Sequence, residues 1–373
     1  KFEVNFIDQP DLVDYLNVKM SANEFLVKLK MIMPEDCKPQ ETVVFFDEIQ
    51  KCPEIVTKIK FLVEEGSFKY VMSGSLLGVE LKGITSVPVG YLTVLRMYPM
   101  DFEEFMIANN VSKTTLEMLK AKFETCQPVD EFIHQKLLSL FFIYLIVGGM
   151  PDAVKIYIAT KDIREVDKVQ RDIVALYKED LSQYESEDKK LKLISIYDII
   201  PAELNKQNKK FVFTMLNKEL KFDRYENSFL WLKDAGVALP VYNVEAPVIP
   251  LKASKSSNVF RLFSNDTGLL TSAYPAETKL ELINKNSEVN NGAHFENAVA
   301  QQLTANGLEP YFCKKKNIGE LDVLVEMDGK VVPIEVKSGK AYKAHKSLDN
   351  FMKISDYHIE KAYVLSVANM EQE

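Results

Sequence analysis

The chain has 373 residues, 47% of them apolar and 27% charged, and this composition excludes a disordered tail or a fibrous repeat. At roughly 100 to 200 residues per domain, the length predicts about two or three domains that each bury a core. The 46 Lys and Arg residues against 54 Asp and Glu give a net charge of -8, which argues against coating of nucleic acid by bulk charge.

The first part of the chain alternates between strand and helix patterns. Strands are predicted at Lys1 to Asp8, Thr42 to Phe46 and Lys69 to Met72, with helices at Ala22 to Met33 and Pro53 to Glu65. This alternation predicts a parallel α/β sheet, whose ligands bind beyond the carboxyl ends of the strands. We therefore expect four polar residues that follow these strands to lie at one edge: Asp47, Glu48, Ser73 and Ser75.

Next the sequence predicts a helical region, a winged helix and a last α/β domain. Residues 99 to 188 carry mainly helical periodicity. Short helices then lead into a strand pair, Val237 to Val244 and Asn258 to Phe263, an order typical of a winged helix that binds DNA or a partner protein. The polar segment Asn284 to Gly292 is predicted as a linker. The predicted domain limits are 1–98, 99–188, 189–283 and 284–373.

The cysteines and the longest apolar run indicate where the protein resides. The four Cys are scattered without a CxxC pair and the chain has only four His, a pattern that indicates reduced thiols and no zinc site. The apolar run from Leu137 to Val147 is much shorter than the ~20 residues that a membrane span needs. We therefore expect a cytoplasmic protein without a membrane segment.

The segment Thr42 to Glu48 (TVVFFDE) has the form of a Walker B strand. Such a strand delivers an Asp to bound Mg²⁺, and the adjacent Glu48 would polarise an attacking water molecule. A solvated strand end is the alternative interpretation. The usual partner motif, GxxxxGK[ST], does not occur in the sequence.

Several strings occur in an order that resembles the AAA-type ATPase family with a C-terminal domain of unknown function 4143. The N-terminal strings are Phe46 to Pro53 (FDEIQKCP), Ser73 to Leu76 (SGSL), Pro99 to Phe105 (PMDFEEF) and Gly148 to Pro151 (GGMP). The later strings are Ile200 to Leu204 (IPAEL), Ser228 to Gly236 (SFLWLKDAG) and Phe260 to Leu270 (FRLFSNDTGLL). The resemblance covers nearly the whole chain.

This resemblance implies ATP and Mg²⁺ as cofactors. Asp47 and Glu48 would be the Walker B pair, and Ser73 or Ser75 would lie near the sensor position that reads the γ-phosphate. In the family the P-loop precedes the strand that opens this sequence, so we expect it upstream of Lys1. Many members have Gly-Arg where this chain has Gly90-Tyr91, and no arginine role is carried over to that position.

A hairpin in the last predicted domain brings acidic residues together. If Asp328-Gly329 is a two-residue turn, Asp322 lies opposite Glu335 and Glu320 lies opposite Lys337. The other face of the hairpin is then entirely apolar, as a strand pair over a core requires. Two opposed carboxylates with a nearby lysine can hold a divalent metal and place an ammonium beside a phosphate.

This arrangement resembles the PD-(D/E)xK nuclease pattern, formed here by Asp322, Glu335 and Lys337. Glu296, on the preceding helix, resembles an extra acidic residue of some resolvase-like members. The alternative is a solvated hairpin face crossed by ordinary ion pairs, each worth little. The sequence thus predicts a restriction-endonuclease-like fold for residues 284–373, and catalysis there is a separate question.

The combined prediction is an α/β protein with an incomplete P-loop-type ATPase core, a helical lid, a winged helix and a nuclease-like tail. Nucleotide would reposition the lid against the winged helix, making the intact protein an ATP-binding switch. The alternatives are a metal-dependent DNA nuclease and a non-enzymatic module that binds DNA or a partner protein.

Overall fold

The computed structural model divides into two compact units, Lys1–Met97 and Tyr98–Glu373. It describes residues 1–74, 90–183, 187–206, 211, 226–284, 291–339 and 342–372. Across these ranges, every helix is too short or too polar to traverse a bilayer. The limit between the units lies next to the predicted domain limit at residue 98.

Within its described residues, the first unit contains a parallel sheet with three helices, so the predicted parallel α/β fold is confirmed. Its strands, in the sheet order β1-β2-β3, are β1 (Phe2–Asn5), β2 (Val43–Asp47) and β3 (Lys69–Met72). Its helices are α1 (Pro10–Leu16), α2 (Ala22–Ile32) and α3 (Glu54–Glu65).

The central strand β2 holds this unit together through apolar burial. Phe46 is fully buried, and its ring stacks on Phe6 at 6.1 Å and on Tyr70 at 6.3 Å between ring centroids. The helix α3 contributes Ile55, Ile59 and Leu62, whose spacing places them on one buried face. The same core leaves the carboxyl end of β2, and hence Asp47, at the rim of the sheet.

The second unit combines helices with a six-stranded sheet. The first helices are α4 (Phe102–Ala108), α5 (Lys113–Glu124), α6 (Glu131–Val147), α7 (Pro151–Thr160), α8 (Ile163–Gln183) and α9 (Glu187–Leu204). The later ones are α10 (Glu226–Asp234), α11 (Thr267–Ser272), α12 (Ala276–Ile283), α13 (Gly292–Ala305) and α14 (Lys346–Met352).

The sheet runs in the order β5-β4-β6-β7-β8-β9. Its strands are β4 (Ala238–Val244), β5 (Lys255–Ser264), β6 (Tyr311–Lys315), β7 (Gly319–Met327), β8 (Lys330–Val336) and β9 (Tyr363–Leu365). Parallel pairing of Tyr242 with Tyr311 joins the predicted winged-helix strands to the predicted nuclease-like strands. The limits predicted at residues 188 and 283 thus lie inside one compact unit, and the separate winged helix stays a prediction.

The hairpin of β7 and β8 has the predicted register. Asp328 and Gly329 form the turn with φ angles of 50° and 73°, and Val323 pairs with Ile334 and Val325 with Val332. Both turn residues need a positive φ, which is why Asp-Gly favours this hairpin. The apolar face packs on α13 and α6 through buried side chains, including Phe295, Ala298, Phe142 and Leu145.

A buried carboxylate, Asp266, connects three helices of the second unit. It caps α11 by accepting from the Leu269 N–H at 2.9 Å, and it accepts from the Gly149 N–H, just beyond α6, at 2.6 Å. Gln301 of α13 donates to the same carboxylate at 3.4 Å. Glycines allow this close approach, since a Cβ on Gly148 would stand 2.1 Å from an Asp266 oxygen.

We expect Gly149→Ala to lower the free energy of unfolding by about 3 kcal/mol, because the added methyl group overpacks a backbone contact. The Cβ would lie 2.0 Å from the Met100 carbonyl oxygen, and neither backbone can give way cheaply. Gly339→Ala is the matched control, since no heavy atom lies within 4 Å of its Cβ. Urea unfolding monitored by circular dichroism checks this, and equal stability of both variants would contradict it.

We also expect Asp266 to make the second unit less stable as the pH rises from about 4 to 6. Burial raises the pKa of Asp266 from 3.8 to about 6, although the N–H groups of Gly149, Leu269 and Gly268 lower it. The folded protein therefore holds this proton more tightly than the unfolded chain, by about 3 kcal/mol, and the advantage disappears above the folded pKa. The free energies of unfolding of wild type and Asp266→Asn, measured at several pH values, test this prediction. A difference between the two proteins that is constant with pH would contradict the prediction.

Candidate functional site

Three polar residues meet where the parallel strands of the first unit end. Asn5 is paired with Asp47 across β1 and β2, and Phe46 is paired with Met72 across β2 and β3. Ser73 follows Met72 directly, and its N–H donates to the Phe46 carbonyl at 2.9 Å. The carboxyl edge of this sheet therefore presents Asn5, Asp47 and Ser73 side by side, the edge at which such sheets bind ligands.

Asp47 is the centre of the hydrogen bonds at this edge. The Asn5 amide donates to its Oδ2 at 2.9 Å, while the Ser73 hydroxyl and the Glu48 N–H donate to its Oδ1. Asn5 is itself oriented, because its Oδ1 accepts from the N–H groups of Ile7 and Asp8. These contacts fix the Asp47 carboxylate while leaving it half-buried at the rim.

Glu48 has an unusual backbone conformation. Its φ of 57° and ψ of 46° lie in the left-handed region, which costs a non-glycine residue about 1 kcal/mol or more. The Gln50 amide donates to Glu48 Oε2 at 2.6 Å and fixes the side chain. Such strained residues are concentrated at functional sites, so this conformation supports a role for Glu48.

Of the residues predicted at this edge, the structure brings Asp47, Glu48 and Ser73 together, whereas Ser75 lies outside the described residues. Asn5 was missed by the sequence analysis. Its position at the end of the first predicted strand, level with Asp47, is the signal that could have identified it. An Mg²⁺ ion that also binds phosphates needs only one or two protein carboxylates, and Asp47 fits that requirement.

The C-terminal hairpin contains the other predicted group. Asp322 directly precedes Val323 and Glu335 directly follows Ile334, which is the residue paired with Val323. Asp322 Oδ2 accepts from the Val336 N–H at 3.0 Å. Glu335 Oε1 lies 2.7 Å from Lys337 Nζ. Burial and the neighbouring Asp322 charge raise the pKa of Glu335, while Lys337 lowers it. The structure thus brings together the residues of the predicted nuclease pattern.

One carboxylate oxygen of the hairpin, Glu335 Oε2, is buried without a hydrogen-bond partner among the described residues. The residue is 5% exposed. A cation would satisfy this oxygen, so Asp322 and Glu335 fit a single metal ion. Among the same residues, however, no three His, Cys, Asp or Glu side chains are arranged as a complete ligand set.

Glu296 contacts a basic residue that the sequence analysis did not identify. Its Oε2 lies 3.3 Å from Nη1 of Arg261, a β5 residue whose side chain is 3% exposed. Arg261 also forms an ion pair with Glu320, which Lys314 contacts at 2.6 Å. Burial raises the pKa of Glu320, but the charges of Arg261 and Lys314 lower it by more. The sequence analysis missed Arg261 because β5 was assigned to another domain.

Three family descriptions match separate parts of the chain. Residues 3–106 match the family described as "AAA domain", residues 138–280 match a domain of unknown function, DUF8612, and residues 291–373 match the domain of unknown function DUF4143. No protein with a curated description matches the sequence.

A Walker-type ATPase of Pyrococcus abyssi is a structural neighbour at 13% identity and a TM-score of 0.41, with 73% of this chain and 83% of that chain covered. The domain matches agree with the resemblance found from the motifs. Residues 3–106 are therefore similar to the AAA domain, and residues 291–373 are similar to DUF4143.

Proposed function

We propose that the first unit is the metal- and water-positioning half of an ATP-hydrolysing site, and that the intact protein is a nucleotide-driven switch. The observation that carries this proposal is the position of Asp47, held by Asn5 and Ser73 at the carboxyl edge of a parallel sheet. The match of residues 3–106 to the AAA domain supports it. The domains that follow would read the nucleotide state, with DNA or a partner protein bound by the winged helix.

Each residue has a definite role in this proposal. Asp47 would hold Mg²⁺, and Glu48 would orient the attacking water molecule from its constrained backbone. Ser73, which donates to Asp47, would sense the γ-phosphate from the next strand. When bound, Mg²⁺ with ATP neutralises the charge that develops on the transferred phosphoryl group.

Asn5 is a positioning residue in this proposal, because it would act through its contact with Asp47. Its amide occupies one carboxylate oxygen, and its own carbonyl oxygen is held by two backbone N–H groups. The Asp47 carboxylate therefore loses little side-chain freedom when a metal binds, since it is already ordered.

A second candidate function is metal-dependent DNA cleavage by Asp322, Glu335 and Lys337. The observation that favours it is the buried Glu335 Oε2, which the described residues leave without a partner. Asp322 and Glu335 would hold one Mg²⁺ or Mn²⁺ ion, and Lys337 would stabilise negative charge on the phosphate. The bound ion would act as a Lewis acid that polarises a phosphate oxygen of the DNA.

We expect Asp47→Asn and Glu48→Gln each to lower the rate of ATP hydrolysis by about 10² or more, because each removes a positioned group. Since this sequence has no GxxxxGK[ST] motif, the assay uses protein made from the complete reading frame. Glu48→Gln should still bind ATP, because it preserves size and hydrogen bonding. Glu41→Gln, an exposed position before the same strand, is the control. Unchanged hydrolysis in both site variants would disprove the assignment.

For the second candidate, we expect Asp322→Ala to abolish Mn²⁺-dependent cleavage of DNA. The reason is that one of the two proposed metal-holding carboxylates is lost. Asp328→Asn serves as the control on the same hairpin, since Asn-Gly also favours this turn. Cleavage of supercoiled and linear DNA is followed on gels. Equal background from wild type and Asp322→Ala would exclude the nuclease function and leave the ATPase proposal unaffected.

A further inference from the structure

A buried arginine lies among the acidic residues of the second unit. Arg261 Nη1 lies 3.3 Å from Glu296 Oε2 and donates to the Asp322 carbonyl oxygen at 3.3 Å. Nη2 forms an ion pair with Glu320. The guanidinium carbon stands 4.5 Å from the centre of the Phe312 ring. Three acidic positions are therefore linked by one side chain that β5 supplies.

Arg261 has little freedom to leave this position. Its side chain is 3% exposed, its two terminal nitrogens are engaged, and the aromatic ring covers one face of the plane. A guanidinium keeps its charge at every accessible pH and matches carboxylates with a rigid set of donors. Moving it would also leave Glu296, a buried carboxylate, without this counter-ion, which is costly.

The contacts of Arg261 use carboxylate oxygens that a metal ion would need. Glu296 is the extra acidic residue of the predicted nuclease pattern, and Glu320 lies on the same strand as Asp322. Glu320 is further neutralised by Lys314, whose Nζ lies 2.6 Å from its second oxygen. Glu296 and Glu320 therefore do not fit a divalent cation, in contrast to Asp322 and Glu335.

We propose that Arg261 is an internal cation that keeps divalent metal ions off Glu296 and Glu320, so that a metal in this cluster is held by Asp322 and Glu335 alone. The second part of this statement rests on the proposed nuclease function, whereas the exclusion by Arg261 does not. Arg261 thus limits the number of metal ions that the acidic cluster can take. Glu296 then orders the fold through Arg261 and does not act on a metal.

The test measures binding of Mn²⁺ to the full chain by the loss of the free-ion signal in electron paramagnetic resonance. Wild type is compared with Arg261→Gln, which removes the charge, and with Arg261→Lys, which retains it. We expect Arg261→Gln to bind one additional ion, or to bind Mn²⁺ about tenfold more tightly, because Glu296 and Glu320 both lose the positive charge of Arg261. We expect Arg261→Lys to resemble wild type.

Further variants locate the ion. The gain in Arg261→Gln should disappear in the double variant Arg261→Gln, Glu320→Gln. In the wild-type background, Glu296→Gln and Glu320→Gln should leave Mn²⁺ binding unchanged. A loss of about tenfold in either would overturn the proposal, as would the same Mn²⁺ binding by Arg261→Gln and wild type.

The outcomes separate this proposal from the nuclease function. Wild type that binds no Mn²⁺, with a gain in Arg261→Gln, would support the exclusion and remove the nuclease proposal. If Arg261→Gln does not unfold cooperatively on heating, it is not folded and its Mn²⁺ binding is not interpreted. The test is then the Mn²⁺ affinity of Glu296→Gln and of Glu320→Gln compared with that of wild type. Measurable Mn²⁺ binding that is the same in all three proteins supports the proposal. Weakened binding in either variant, or no Mn²⁺ binding by any of the three proteins, overturns it.

Discussion

A charged side chain that is removed from water needs hydrogen-bond partners or an opposite charge nearby. This requirement determines how side chains are arranged in both units of the protein. In the second unit, the buried Asp266 accepts hydrogen bonds from backbone N–H groups, including that of the distant Gly149. Arg261 forms ion pairs with Glu296 and Glu320. In the first unit, Asp47 accepts hydrogen bonds from Asn5 and Ser73. Each of these contacts fixes where separate elements of the chain lie.

The two acidic sites differ in how their charge is compensated. Around Asp47 the partners are the neutral donors Asn5 and Ser73, which bring no positive charge that would compete with a cation at the rim of the sheet. In the C-terminal cluster the partners include Arg261, Lys314 and Lys337, which neutralise most of the carboxylates that surround them. This contrast is why the nucleotide-binding proposal takes precedence over the nuclease proposal.

Several motifs that carried the family resemblance prove to be architectural. The GGMP string meets the FRLFSNDTGLL string at Asp266, where Gly148 and Gly149 permit a backbone approach that a side chain would block. The FRLFSNDTGLL string also supplies Arg261, which lies in the same sheet as the C-terminal hairpin. A string that marks a family can therefore reflect the packing of a buried charge as well as chemistry, and only contacts distinguish the two.

The sequence by itself determined the parallel α/β character of the first unit and the register of the C-terminal hairpin. Both follow from local patterns, namely the alternation of apolar residues and an Asp-Gly turn that needs positive φ angles. Only the tertiary structure decided that Asn5 supports Asp47 and that Arg261 faces Glu296. It also joined the predicted winged-helix strands and the C-terminal strands into one sheet. These contacts join residues far apart in the chain, and their partners depend on how whole strands and helices pack, which no local pattern encodes.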